Sequence, residues 1–185
     1  TICILILNCA GHQSKSIKND NEFSSIIEKG KLFWDQRSDT NAIKKAQHFI
    51  GSAYNQNPSD YDLALLYGKI LYTNGLFHEK NNKNKTKLFF DGATICRNAI
   101  FNHPDFHSIY QNTKGDSSFR ILSTIIEAPK SLIPGLFWWA NNLSSYLNLK
   151  PVLERINNRE LIEVILHRII SLEPSFYYSG AYRLF

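Results

Sequence analysis

The chain contains no methionine, and only three of its 185 residues are cysteine. Three cysteines, Cys3, Cys9 and Cys96, are too few for a disulfide framework, and no two of them stand at C-x-x-C spacing. Cys96 lies in an apolar helical pattern and is expected in the core. There is no Gly-rich phosphate loop, no H-E-x-x-H and no G-x-S-x-G. Glu127 and Glu173 have no partner carboxylate within helical reach, so paired acid–base chemistry is not indicated. His103 and His107 are four apart, but Pro104 between them works against one helix carrying both, and no Cys or Glu completes a metal set. The expectation is a protein that is not an enzyme, with no metal and no cofactor.

Acidic residues are fewer than basic ones, giving a net charge of +5 and a pI near 9.1. The lysines are scattered among asparagines, as in Lys83-Asn84-Lys85. No arginine stripe and no aromatic–basic motif appears, so nucleic acid is not an expected partner. The hydrophobic content of 43% fits a globular domain. The missing methionine, the apolar start and the end at Phe185 are expected of a processed chain or a piece of a longer one.

Ile2-Cys3-Ile4-Leu5-Ile6-Leu7 is a continuous apolar run. It falls well short of the ~20 residues that span a bilayer. It reads as the end of a secretory signal whose charged start is missing. Ile6-Leu7-Asn8-Cys9 resembles a bacterial lipobox, with Asn8 where Ala or Gly is usual. That resemblance implies lipidation of Cys9, removal of residues 1–8, and a flexible tether over 9–22 rich in Ser, Lys and Asn.

Period-2 patterning is not sustained after residue 22, and helical spacing takes over. Phe23, Ile26, Ile27, Gly30, Phe33 and Trp34 fall on one face. Ile43, Ala46, Ile50, Ala53 and Tyr54 fall on another. A third helix runs from Asp60 to Leu76, punctuated at Asn74-Gly75, and a fourth spans about 87–101. Later helices are predicted over 117–127, 131–148 and 153–172, and Lys80 to Lys85 reads as a solvated loop.

A repeat is hidden in this pattern. Ala46-x₃-Ile50-x₂-Ala53-x₄-Pro58 recurs as Gly92-x₃-Cys96-x₂-Ala99-x₄-Pro104 and as Ile162-x₃-Leu166-x₂-Ile169-x₄-Pro174. This is the tail of a tetratricopeptide unit, where the second helix nests on the first and proline starts the next turn. Trp139-x₂-Asn142-Leu143-x₂-Tyr146 matches the first-helix arrangement W-x₂-L-G-x₂-Y, with Asn and Leu in place of Leu and Gly. Tyr67-Gly68-x₂-Leu71 matches its second half. The expected fold is all-α, built of stacked antiparallel hairpins of tetratricopeptide type with insertions, over residues 23–185.

Leu136-Phe137-Trp138-Trp139-Ala140-Asn141-Asn142-Leu143 resembles the A-L-Y-W-x-A-x-N-L segment of the TatT family. Members of that family are tetratricopeptide-containing lipoprotein components associated with tripartite ATP-independent periplasmic (TRAP) transporters. Leu172-Glu173-Pro174-Ser175-Phe176-Tyr177-Tyr178-Ser179-Gly180-Ala181-Tyr182-Arg183 is similar to that family's L-D-P-x-F-x-x-G-G-x-x-R stretch. Ser179 stands where the family has Gly, and Ala181 where Pro is common. The resemblance implies a C-terminally truncated chain and a membrane-anchored periplasmic lipoprotein. It also implies a scaffold that docks the transporter's substrate-binding protein and can hold a ligand itself; a homo-oligomer is a separate option that the resemblance does not decide. The alternative is a general tetratricopeptide adaptor of the cell envelope.

Candidate partner or ligand contacts are Trp138, Trp139, Asn141, Asn142, Tyr146, Tyr178 and Arg183. On a helix two adjacent tryptophans do not share one face, so one is expected to pack and the other to line a cavity or partner surface. Trp139 is the expected core residue, and Trp138 is expected to serve binding more than stability. Asn141 and Asn142 are readable as internal hydrogen-bonding glue or as ligand contacts. Phe176, Tyr177 and Tyr178 are expected to cap the core, and Arg183 to donate to a helix end.

Overall fold

The computed structural model describes residues 10–184, with side chains from residue 21 onward. Cys9 and the signal remnant 1–8 lie outside the described residues. The described chain is all-α and contains no strand. Its helices are α1 (Ala10–Asp35), α2 (Thr40–Gln56), α3 (Tyr61–Thr73), α4 (Asn82–Asn102), α5 (Pro104–Asn112), α6 (Ser117–Glu127), α7 (Ile133–Asn148), α8 (Val152–Asn157), α9 (Arg159–Leu172) and α10 (Phe176–Leu184). A π-helical turn over Asn74–His78 extends α3, and a short 3₁₀ turn over Lys130–Leu132 leads into α7.

Local chemistry fixes most of the helix starts. Asp39, Asp60 and Asp116 each accept from backbone N–H groups of the first turn that follows. The His103 imidazole does the same for α5, where Pro104 occupies the first turn. Asn81 caps α4 through Lys83 N–H and Asn84 N–H. That cap corrects the loop expected over 80–85, because helix already begins at Asn82. The helix expected over 153–172 is also two helices, broken at Asn158, whose ψ of 0° leaves the helical region. At the other end, α1 takes in residues 12–22, read from composition as a tether. Helix-compatible residues fill that stretch and no proline interrupts it.

Neighbouring helices run antiparallel. Gly30 of α1 meets Ile50 of α2, and Phe33 stacks on Phe49 with centroids 5.7 Å apart. Going back along the next helix, Asn74 Nδ2 donates to Gln47 Oε1 at 2.7 Å, and Tyr67 meets Tyr54. α3 and α4 cross where Gly68 lies against Cys96 and Gly75 against Phe89. α4 and α7 pair through Ile100 with Gly135 and Phe90 with Tyr146. α3 and α7 run parallel to each other, since Tyr61 accepts from Gly135 N–H while Gly68 meets Asn142. α9 then packs on α7, and Arg168 Nε ties it to the Ala128 carbonyl before α7 at 2.8 Å.

The three repeat tails lie on α2, α4 and α9. Ala46, Ile50, Ala53, Cys96, Ala99, Leu166 and Ile169 are all buried. One core joins α1, α2 and α3 around Ile43, Ile50 and Ile70, and a larger one joins α3, α4, α7 and α9. Tyr54 packs against both. Burial holds the Cys96 thiol above its ordinary pKa, as expected of a core cysteine.

The tightest approach is where α3, α4 and α7 meet. Asn142 is fully buried, and its Nδ2 donates to the Gly68 carbonyl at 3.2 Å and the Trp138 carbonyl at 2.9 Å. A Cβ on Gly92 would overlap Asn142 Oδ1. Gly92→Ala should therefore lower unfolding stability by about 1–3 kcal/mol, although alanine is the better helix former. In urea titrations the double variant Gly92→Ala/Asn142→Ala should lose less than the sum of the single losses. Strict additivity would show that the two positions do not share a contact.

Candidate partner-binding surface

α7 is surrounded by α3, α4, α9 and α10, so little of its circumference meets solvent. Both tryptophans are consequently buried, Trp138 at 7% exposure and Trp139 at 4%. This corrects the expectation that adjacent tryptophans must divide between core and surface. A helix with neighbours on several sides buries residues 100° apart equally well. Trp139 sets its edge on Phe101 of α4. Trp138 points between α3 and α10, against Tyr72 and Tyr177. Trp138→Ala should accordingly cost about 3–5 kcal/mol of stability, read by thermal unfolding.

The two asparagines act internally. Asn141 Nδ2 donates to the Phe137 carbonyl at 2.8 Å, one turn back in its own helix. Asn142 forms the three-helix contact described above. Tyr146 is half-buried between Phe90 and the Lys150 ammonium. Arg183 is exposed and lines a separate groove of about 600 Å³ between the end of α7, α8, α9 and α10. Arg155 and Arg159 share that groove, and Arg159 is paired with Glu163 at 2.6 Å. Tyr178 is 84% exposed, which corrects its expected role as a core cap.

Of the seven predicted contacts, Trp138 and Tyr178 border a mixed cationic and aromatic patch. Its centre is Lys69 of α3. The ammonium lies 5.2 Å from the Trp34 ring, 5.4 Å from Trp138 and 5.2 Å from Tyr177. Arg37 lies over the outer side of this patch, 4.8 Å from the Trp34 ring, with Nη1 donating to the Trp34 carbonyl. Tyr72 adds a phenol that hydrogen-bonds with Ser145 and is raised in pKa by burial. The patch therefore draws aromatic and cationic groups from α1, α3, α7 and α10, with Arg37 just beyond α1.

Burial, and secondarily the Arg37 guanidinium, hold the Lys69 ammonium below its ordinary pKa. Among the described residues no carboxylate pairs with Lys69. The aromatic faces partly replace the lost water, because their quadrupole attracts a cation. The adjoining wall is strained. Tyr177, Tyr178 and Ser179 all lie in the left-handed region, with φ of 48°, 59° and 58°. Such conformations cost roughly 1–2 kcal/mol for each non-glycine residue.

Sequence reasoning missed Trp34, Arg37 and Lys69 as site residues. A signal was present for one of them. In Tyr61–Thr73, Lys69 is the single basic residue, set among Tyr67, Leu71 and Tyr72. Trp34 was absorbed into the apolar face of α1, and Arg37 lies in the following turn.

His103 caps α5, His107 Nε2 meets Gln111, and no cluster of three potential ligands occurs among the described residues. No described helix is long and apolar enough to cross a membrane. No known family model matches the chain, and no curated protein shows significant similarity to it.

The lowered pKa of Lys69 gives a signed prediction. The unfolded chain binds more protons at this site than the folded one, so stability rises with pH through the folded-state pKa towards about 10.5. Lys69→Met should leave Tm unchanged or raise it by about 2–4 °C at pH 7. The gap from the parent protein should close as pH approaches 10. A clear fall in Tm at pH 7 would make Lys69 an anchor of the fold instead.

Proposed function

We propose that this chain is a non-catalytic binding scaffold of tetratricopeptide type, and that it grips a partner protein through the Lys69 patch. The patch is the observation that carries the proposal. Interface hot spots are enriched in Trp, Tyr and Arg, set in desolvated surroundings. Trp34, Arg37, Tyr177 and Tyr178 supply those residue types around a half-buried cation. The tetratricopeptide reading is supported by antiparallel pairs α1/α2, α3/α4 and α7/α9, by the repeat tails on each second helix, and by the parallel run of α3 and α7. The patch lies on the side formed by the first helix of each pair.

The more specific reading rests on the resemblance to the TatT family. In that reading the chain is a lipid-anchored periplasmic component, tethered through Cys9, that docks the substrate-binding protein of a TRAP transporter. Its support is the aromatic segment of α7, the Leu172–Arg183 stretch and the lipobox-like Ile6-Leu7-Asn8-Cys9. The general envelope adaptor shares the same binding surface and differs only in the partner.

Isothermal titration of the chain with the TRAP substrate-binding protein encoded beside its gene separates the two. Micromolar binding, weakened about tenfold by Tyr178→Ala, is expected. No heat at high micromolar concentration removes the transporter reading, and binding to a different envelope protein through the same patch selects the adaptor.

A further inference from the structure

We propose that the Lys69 patch recognises an acidic segment of the partner, an Asp or Glu flanked by an apolar side chain. The proposal rests on the scaffold reading above and adds the chemistry of what is gripped.

Two cations meet at one indole: Lys69 lies 5.2 Å and Arg37 4.8 Å from the Trp34 ring. Neither has a carboxylate partner among the described residues. Two other basic side chains show the contrasting arrangement. Lys87 pairs with Asp91 at 2.7 Å and Arg159 with Glu163 at 2.6 Å, on open helix surfaces. At Lys69 burial adds to the missing anion, and an arriving carboxylate gains there from the reduced dielectric.

The surroundings narrow the ligand further. Trp34, Trp138 and Tyr177 ring the ammonium, so a group entering here displaces water from apolar faces as well as meeting charge. A bare inorganic anion uses only the charge, whereas an acidic side chain with an apolar neighbour uses both. Tyr178, 84% exposed on the strained turn, extends the apolar surface outward beside the cations. Two cations also fall short of the row of phosphate contacts on which nucleic-acid affinity depends. The lowered proton affinity of Lys69 agrees with this geometry, since a bound carboxylate would restore the charged form.

The test uses peptide display on the immobilised chain, followed by fluorescence titration of the selected peptides. An Asn/Gln version of each peptide and vesicles containing anionic phospholipid serve as competing probes. Selected sequences should carry Asp or Glu beside an aromatic or aliphatic residue. Lys69→Gln and Arg37→Gln should each weaken binding about tenfold, and Lys69→Arg should restore most of it. Circular dichroism checks that the variants remain folded. Affinity should fall as salt rises from about 50 to about 300 mM. Equal binding of the Asn/Gln peptides overturns the acidic assignment. Peptides that bind but ignore both cation variants overturn it while leaving the scaffold reading standing. If no peptide is enriched, the acidic-segment assignment falls, and the scaffold reading stands or falls with the titration above. Variant-sensitive binding to the vesicles, with no peptide preference, replaces the acidic segment with a membrane surface.

Discussion

One buried amide determines how closely the central helices approach. Asn142 reaches from α7 to the Gly68 carbonyl of α3, and its other end faces Gly92 of α4. Two glycines are needed because the helices meet almost backbone to backbone. A Cβ on Gly68 would overlap the Cys96 sulfur, and one on Gly92 would overlap Asn142 itself. The amide's Oδ1 makes no hydrogen bond, a cost that a leucine would not carry. What the amide supplies is direction. Its N–H groups fit one axial register of α3 against α7, whereas apolar packing tolerates sliding.

The Lys69 patch follows from that register. Lys69 is the residue after Gly68, about 100° further round the same helix. Fixing Gly68 against α4 and α7 turns Lys69 towards the gap between α1 and α10. Trp138, four residues before Asn142 on α7, is turned to the same gap by the same contact. The core and the patch are therefore two faces of one packing decision. This explains why Trp138 is buried and still borders the patch: its inner side completes the core while its outer edge meets Lys69 and Tyr177.

The periodicity of the chain carried the all-α architecture, and the recurring spacing of small and apolar residues marked buried faces of α2, α4 and α9. Composition misled where capping chemistry decides. Lys80 to Lys85 looks like a loop by charge and asparagine content, yet Asn81 is a good N-cap and helix starts one residue later. The site was half legible. Trp138 and Tyr178 stood out through aromatic density. Lys69 and Arg37 did not, because their meaning depends on α1 and α10 approaching α3, a long-range fact with no local signature. Asn141 and Asn142 could be read from sequence either as glue or as contacts. Only the distances to Phe137, Trp138 and Gly68 carbonyls assign them to the interior.

The patch combines two features that folding alone would remove. A half-buried ammonium without an anion is unfavourable, and methionine or leucine at position 69 would pack against the same rings at no electrostatic cost. Three consecutive left-handed residues are unfavourable too, and a glycine at Tyr177 or Tyr178 would relieve part of that strain. The two features meet at one place, because the strained turn brings Tyr177 within 5.2 Å of an ammonium that has no carboxylate partner among the described residues. Both make sense if the surface is completed by something outside this chain, with the aromatic wall held ready and the charge waiting for its counterpart.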